Sequence, residues 1–132
     1  KDLRREWSLE QWKTLWTDRT VAYTEAISLF DYDLVQEAVS IIVTQFSPQK
    51  IIIFGSVASR TADEDSDIDI LVVMDTEGDK ISRRVPLIIA LGKLRIDTDI
   101  VVATPEEFES MRNDRSSFIH EIVSTGYVAY EV

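Results

Sequence analysis

Two pairs of aspartates with the same spacing are the first candidates for chemistry. Asp67 and Asp69 flank Ile68, and Asp97 and Asp99 repeat this spacing further along the chain. Residues two apart in a strand share a face, so each pair places two carboxylates side by side, roughly 6.5–7 Å apart at the backbone. Carboxylate oxygens are ligands that Mg²⁺ prefers, alongside water and substrate phosphates. Carboxylates from two neighbouring strands could hold two such ions about 3.5–4 Å apart, the arrangement for an in-line displacement at phosphorus.

A Gly-Ser pair upstream adds a candidate phosphate site. Gly55 and Ser56 follow the apolar run over 50–54 and precede the Asp67-Ile68-Asp69 motif by ten residues. Glycine lets the backbone approach a ligand closely, and N–H groups at the start of a following helix attract phosphate. Such a pair alone is a common turn, so its position upstream of the carboxylates is what makes it informative.

The apolar pattern predicts the elements that position these motifs. Asp31 and Asp33 provide an N-cap for one helix, and Thr104 with Glu107 forms a capping-box start for another. The predicted helices cover about 9–29, 34–46, 57–61 and 85–91, with further helix from 105 to about 125 broken near Asp114, and the predicted strands cover 50–54, 67–74, 95–103 and 127–132. This order predicts one α/β (α+β) domain, in which a small mixed β-sheet is flanked by helices.

In these two motifs the sequence resembles the DNA polymerase β-like nucleotidyltransferase superfamily. Its signature is Gly-Ser, about ten residues, and Asp-x-Asp on a strand, and this chain has Gly55-Ser56 followed by Asp67-Ile68-Asp69 at that distance. The most similar group is the minimal nucleotidyltransferases, which are small single-domain members found in prokaryotes. The resemblance covers about 34–132, so we expect a nucleotidyltransferase domain there and an N-terminal helical extension over 1–33.

The resemblance implies transfer of a nucleoside monophosphate from an NTP, with ATP the first candidate, to an acceptor hydroxyl on a protein or small molecule. Two Mg²⁺ ions would bridge the enzyme and the triphosphate. Asp67 and Asp69 would bind both ions. Asp99 would bind the catalytic ion and help to deprotonate the acceptor. Ser56 and the backbone of Gly55 would hold the terminal phosphates.

Two features depart from the family pattern. The family often continues Gly-Ser with Arg-Ala-Arg-Gly, whereas this chain has Val57-Ala58-Ser59-Arg60-Thr61. Only Arg60 remains as a candidate triphosphate ligand. The family more often has one acid at this place, whereas this chain has both Asp97 and Asp99. Because both would share a strand face, Asp97 stays an alternative third metal ligand.

Members of this group often act with a partner, and frequently that partner is a small all-helical HEPN-type toxin. The resemblance therefore implies a HEPN-type partner or a homodimer, contacted through an N-terminal helix that carries Trp7, Trp12 and Trp16. The chain could then be the antitoxin of a toxin–antitoxin pair. The alternative is a catalytically silent nucleotide-binding or toxin-binding module that keeps the fold.

Composition excludes several other classes of function. The 132 residues carry 14 Lys+Arg and 24 Asp+Glu, a formal net charge of −10, and the stretch over 61–79 has eight acids and no base. Such a surface repels phosphate backbones, so non-specific nucleic-acid binding is disfavoured. The absence of cysteine excludes thiolate metal sites and disulfides. No apolar run or signal-peptide pattern predicts membrane contact, and we expect a cytoplasmic protein.

Overall fold

A computed structural model describes residues 30–132, so the helix predicted over 9–29 lies outside the described residues. The elements follow the predicted order. They are α1 (Asp33–Phe46), β1 (Lys50–Phe54), α2 (Gly55–Ser59), β2 (Ile68–Val73), a 3₁₀ turn (Ser82–Arg84), α3 (Val85–Leu91), β3 (Thr98–Ala103), α4 (Pro105–Met111), α5 (Phe118–Thr125) and β4 (Tyr127–Glu131). None of the helices in this part of the chain has the length and apolar content of a membrane span.

The four strands form one mixed sheet in the order β3-β2-β1-β4. The central strand β1 is antiparallel to both of its neighbours, β2 and β4. β2 and β3 run parallel, so the chain must cross from one end of the sheet to the other between them. The predicted fold class, a small mixed sheet flanked by helices, is confirmed.

The sheet separates two apolar layers, because its two inner strands, β1 and β2, are buried on both faces. On β1, Ile51 and Ile53 point towards α1 and α3, whereas Ile52 and Phe54 point towards α4 and α5. These four side chains are between 0 and 8% exposed. Continuous apolar runs are what a strand covered on both faces requires, and the run over 50–54 predicted such a strand.

Two aromatic residues before α1 also belong to the core. Phe30 and Tyr32 are each 4% exposed and pack edge-to-face with ring centroids 4.6 Å apart. They join the layer that α1 and α3 cover. The core thus includes residues on the N-terminal side of the boundary predicted between residues 33 and 34, and the boundary itself stays a prediction.

The start of α1 differs from the predicted N-cap. Tyr32 occupies the N-cap position and makes no side-chain cap hydrogen bond. The Asp31 carboxylate instead accepts a hydrogen bond of 3.0 Å from the backbone N–H of Asp33, which closes a turn before the helix. Aspartate favours both arrangements, and here the Asp31 side chain closes the turn while the helix starts at Asp33.

The start of α4 agrees with its predicted capping box. The N–H of Glu107 donates to the Thr104 hydroxyl at 3.2 Å, and the N–H of Thr104 donates to the Glu107 carboxylate at 2.9 Å. The break predicted near Asp114 is also present, between α4 and α5. These local signals act within a few residues, so they are visible in the sequence.

Candidate active site

Asp69 and Asp99 lie side by side on adjacent strands. They are register partners in the parallel pair of β2 and β3, where neighbouring strands are about 4.8 Å apart. Asp69 is also the register partner of Phe54 at the end of β1. Ile68 and Ile70, on either side of Asp69, are fully buried in the opposite layer. The predicted alternation therefore holds, and it directs the two carboxylates to the face that carries α4 and α5.

Asp67 precedes β2 by one residue and is exposed. The next residue, Ile68, donates its backbone N–H to the carbonyl of Asp97 at 3.0 Å, which joins the two chain segments just before β2 and β3 begin. Asp67 and Asp97 therefore both stand at the entrance to the parallel pair, each two residues before a carboxylate of the site.

The electrostatics identify Asp69 as the centre of the acidic group. Its pKa is raised, first by partial burial and then by the negative charges of Asp99 and Asp67. Partial burial and like charges disfavour an ionised carboxylate unless a cation lies nearby, and carboxylate oxygens are suited to a hard divalent cation.

The donor chemistry of these aspartates fits Mg²⁺, although their present arrangement is open. In residues 30–132, no three His, Cys, Asp or Glu side chains are grouped closely enough to hold a metal ion. A bound cation would have to draw Asp67, Asp69 and Asp99 together.

Gly55 packs directly against the Asp69 side chain. Its φ is +69°, and a Cβ at this position would overlap Oδ2 of the Asp69 carboxylate. Only glycine combines that backbone conformation with so close an approach. The motif predicted Gly55 as a contact for phosphate, but sequence reasoning missed its contact with the aspartate. The available signal for this contact was the family signature, in which Gly-Ser precedes Asp-x-Asp by about ten residues.

The two remaining candidates lie at opposite ends of α2. Ser56 follows Gly55 in the first turn and is half-buried. Arg60 follows the last residue of the helix and adopts a left-handed conformation with φ of 66°. The helix begins two residues earlier than the predicted 57–61. The structure therefore places Gly55 against Asp69, with Ser56 next to it in the chain, and it places Arg60 about one helical turn further along the chain.

A four-stranded mixed sheet with carboxylates on two parallel strands and a glycine turn against them agrees with the predicted polymerase β-like nucleotidyltransferase fold. The chain belongs to the Polymerase beta, Nucleotidyltransferase family, which matches residues 36–132. Among solved structures, the chain is similar to a candidate nucleotidyltransferase from Sulfolobus solfataricus, with 26% sequence identity and a TM-score of 0.46, covering 59% of this chain and 70% of the other. The comparison with curated proteins finds no match.

Proposed function

We propose that this domain transfers a nucleoside monophosphate from ATP, or from another NTP, to a hydroxyl group of a protein or small-molecule acceptor. The observation that carries this proposal is the in-register pair of Asp69 and Asp99, with Asp69 seated against Gly55. Family membership supports nucleotidyl transfer in general. The metal, the nucleotide and the acceptor are the proposed additions.

Asp67, Asp69 and Asp99 would hold Mg²⁺. Bound there, the metal would neutralise charge on the triphosphate and on the reacting oxygens. Asp69 and Asp67 would contact both ions, and Asp99 would contact the ion nearer the acceptor. The raised pKa of Asp69 supports this assignment, because the cause of the shift includes two neighbouring negative charges that a cation would offset.

The reaction exchanges one phosphorus–oxygen bond for another. A bond forms between the acceptor oxygen and the α-phosphorus, the bond between that phosphorus and the oxygen bridging to the β-phosphate breaks, and pyrophosphate leaves. The acceptor proton would pass to the carboxylate of Asp99. Gly55 and Ser56 would hold the terminal phosphates through the backbone and the hydroxyl group, and Arg60 is a further candidate ligand from the end of α2.

The first experiment measures label transfer from α-labelled ATP to a candidate acceptor in the presence of Mg²⁺. We expect Asp67→Asn/Asp69→Asn to lose at least about 100-fold in rate, because both metal sites lose charged ligands. Asp75→Asn is the matched control, since Asp75 is exposed and follows the opposite end of β2. Equal transfer by wild type and the double variant would disprove the proposal.

A second pair of variants decides the third metal ligand. Asp99→Asn should lose activity about as severely as Asp69→Asn, and Asp97→Asn should lose less than about tenfold. The support for Asp99 is its register with Asp69 and its effect on the pKa of that residue. The opposite order of the two variants would assign the role to Asp97.

A catalytically silent module is the second candidate function. It is favoured by the altered segment after Ser56, since the only basic residue of that segment, Arg60, lies at the far end of α2. Calorimetry with Mg²⁺ and a non-hydrolysable ATP analogue distinguishes the candidates in combination with the transfer assay. Binding without transfer to any acceptor favours the module, and absence of binding contradicts both.

We also propose that the protein acts with a helical partner of the HEPN type, as an antitoxin, or as a homodimer. The contact predicted through the N-terminal helix with Trp7, Trp12 and Trp16 lies outside the described residues. Within residues 30–132, the exposed apolar side chains of α3 support a protein contact, since Ile88 is 48% and Ile89 is 73% exposed. Light scattering should give a mass of twice the 15.1 kDa of one chain, or a larger mass on mixing with the partner. A 15.1 kDa species unaffected by candidate partners would contradict this proposal.

A further inference from the structure

An apolar cleft of about 520 Å³ opens beside the edge strand β3. Ligand sites for small molecules typically have volumes of about 300–1,000 Å³, so this cleft is large enough for a ring-sized ligand. Two of its large apolar side chains are left exposed, Ile81 at 70% and Phe118 at 54%. The residues that line it include Lys80, Ile81, Arg84, Val101, Met111 and Phe118.

The cleft lies on the same face of the sheet as the carboxylates. Val101 follows Asp99 by two residues on β3, so the two side chains share a face and are separated by about 6.5–7 Å along the strand. On the other side, the Phe118 ring packs edge-to-face on Phe54 at 5.8 Å, and Phe54 is the register partner of Asp69. Neither carboxylate lines the cleft itself, so a ligand in the cleft would reach the Asp69–Asp99 pair by extending past Val101, about 6.5–7 Å along β3.

The charges around the cleft favour an anion. Lys80 and Arg84 contribute two positive charges, and neither forms an ion pair with another of the described residues. The acid of the lining, Glu107, is already paired with Arg83 at 2.6 Å. In a chain with a net charge of −10, the cleft thus combines an apolar floor with two cations.

We propose that this cleft binds the acceptor of the transfer, and that the acceptor has a ring-sized apolar body and an anionic group recognised by Lys80 and Arg84. The inference rests on the proposed function, because Asp99 can act on an acceptor only if transfer occurs. The apolar body packs on Ile81, Met111 and Phe118. The acceptor hydroxyl then points along β3 towards Asp99.

Two naphthols test the proposal. 2-Naphthol-6-sulfonate has an apolar ring body, a hydroxyl and an anionic group, and 2-naphthol lacks only the anion. Affinities for the full chain are measured by calorimetry at low salt, and both compounds are then offered as acceptors of label from α-labelled ATP. We expect the sulfonate to bind about tenfold more tightly than 2-naphthol, since two cations are near the anionic group, and to accept more label.

The variants have matched controls elsewhere on the surface. Lys80→Glu/Arg84→Glu should remove the preference for the sulfonate, whereas Lys93→Glu should keep it, because Lys93 lies beside Gln36 and Glu37 of α1. Ile81→Ser should weaken both naphthols several-fold through the lost apolar contact. Val132→Ser should weaken neither, since Val132 is also an exposed apolar residue but does not line the cleft.

The outcomes separate this inference from the proposed function. If the ATP analogue binds with Mg²⁺ but the naphthols do not, or if the double variant keeps the preference, the inference is wrong and the proposed function stands. If the naphthols bind while neither ATP binding nor transfer occurs, the proposed function fails and the acceptor role fails with it. Naphthol binding that weakens as protein concentration rises would show a second copy of the chain in the cleft, and would also overturn the inference.

Discussion

At the scale of single residues, Gly55 and Asp69 act as one unit. The left-handed backbone of Gly55 leaves the space that the Asp69 carboxylate occupies. Asp69 is half-buried there, and its pKa is raised by that burial and by the charges of Asp99 and Asp67. The glycine thus does more than form a turn, because it allows an acidic side chain to stay at the end of β2 close to a neighbouring backbone.

Gly55→Ala tests this unit through a double-mutant cycle. We expect a destabilisation of about 2–4 kcal/mol in the free energy of unfolding, from the positive φ and from overlap with Asp69. In an Asp69→Ala background the same substitution should cost only about 1–2 kcal/mol, because the overlap is relieved and the backbone strain remains. Denaturant unfolding measures all four proteins. An equal cost in both backgrounds would contradict the contact.

At the scale of elements, Arg83 links the 3₁₀ turn to α4 across the edge of β3. Its guanidinium donates to the Glu107 carboxylate at 2.6 Å and to the carbonyl of Val102 at 3.3 Å. It also donates to the carbonyl of Gly78 at 3.2 Å, while its Nε is buried and has no hydrogen-bond partner within residues 30–132. Because Lys80, Ile81 and Arg84 belong to the same segment, this link fixes one rim of the cleft.

Glu107→Ala should destabilise the protein by about 2–4 kcal/mol, because it leaves the charge of Arg83 buried and unpaired. The Arg83 side chain is only 9% exposed. Glu109→Ala is the control. Glu109 forms an exposed pair with Arg112, so its loss should cost less than about 0.5 kcal/mol. Similar costs for the two variants in denaturant unfolding would show that the link contributes little.

Glu107 also predicts that the stability of the fold depends on pH. Hydrogen bonds from Arg83 and from the backbone of Thr104 lower the pKa of Glu107 below its usual 4.5. A carboxyl whose pKa is lower in the folded state stabilises the fold above its unfolded pKa and loses that contribution as the pH falls. Between about pH 6 and pH 3, the wild type should therefore lose more stability than Glu107→Ala. Parallel curves would contradict the assignment.

At the scale of the whole molecule, negative charge is concentrated in the second half of the chain. Residues 61–132 carry 16 acidic and 7 basic side chains, which is 9 of the 10 net negative charges. Most of these acids are exposed, and three of them, Asp67, Asp69 and Asp99, lie at one end of two strands. Two bound Mg²⁺ ions would offset four of these charges locally, so an acidic protein could still receive a triphosphate.

Mg²⁺ should therefore stabilise the folded protein as well as support transfer. At a metal concentration ten times the dissociation constant, the gain is about 1.4 kcal/mol, which corresponds to roughly 7 °C in Tm for a domain of about 100 residues. Sodium chloride of equal ionic strength is the control for general screening of the net charge. Thermal unfolding should show the specific gain in wild type and Asp75→Asn. A gain of the same size in Asp67→Asn/Asp69→Asn would place the metal elsewhere.

The order of the elements could be predicted wherever the signal is local. The helix over 85–91 has its predicted bounds, and the capping box of Thr104 and Glu107 forms as expected. β3 is a different case, since it starts at Thr98 rather than at the predicted Arg95. Its partner β2 starts at Ile68, whose backbone N–H donates a hydrogen bond to the carbonyl of Asp97. The residues before Asp97 therefore have no neighbouring strand on this side. The end of a strand depends on its partner, and the apolar pattern of one segment does not contain that information.

The candidate site likewise has a part that the sequence predicts and a part that depends on how the segments pack. Residue type and two-residue spacing were enough to select the pairs Asp67/Asp69 and Asp97/Asp99, because side-chain alternation follows from backbone geometry alone, and the family resemblance then favoured Asp99 over Asp97. Their proximity depends on the parallel pairing of β2 and β3, in which Asp69 meets Asp99. The overlap that reserves position 55 for glycine and the cleft beside β3 likewise arise between segments distant in sequence. Chemistry and local conformation are properties of short segments, whereas register and contact are decided when the segments pack into one sheet.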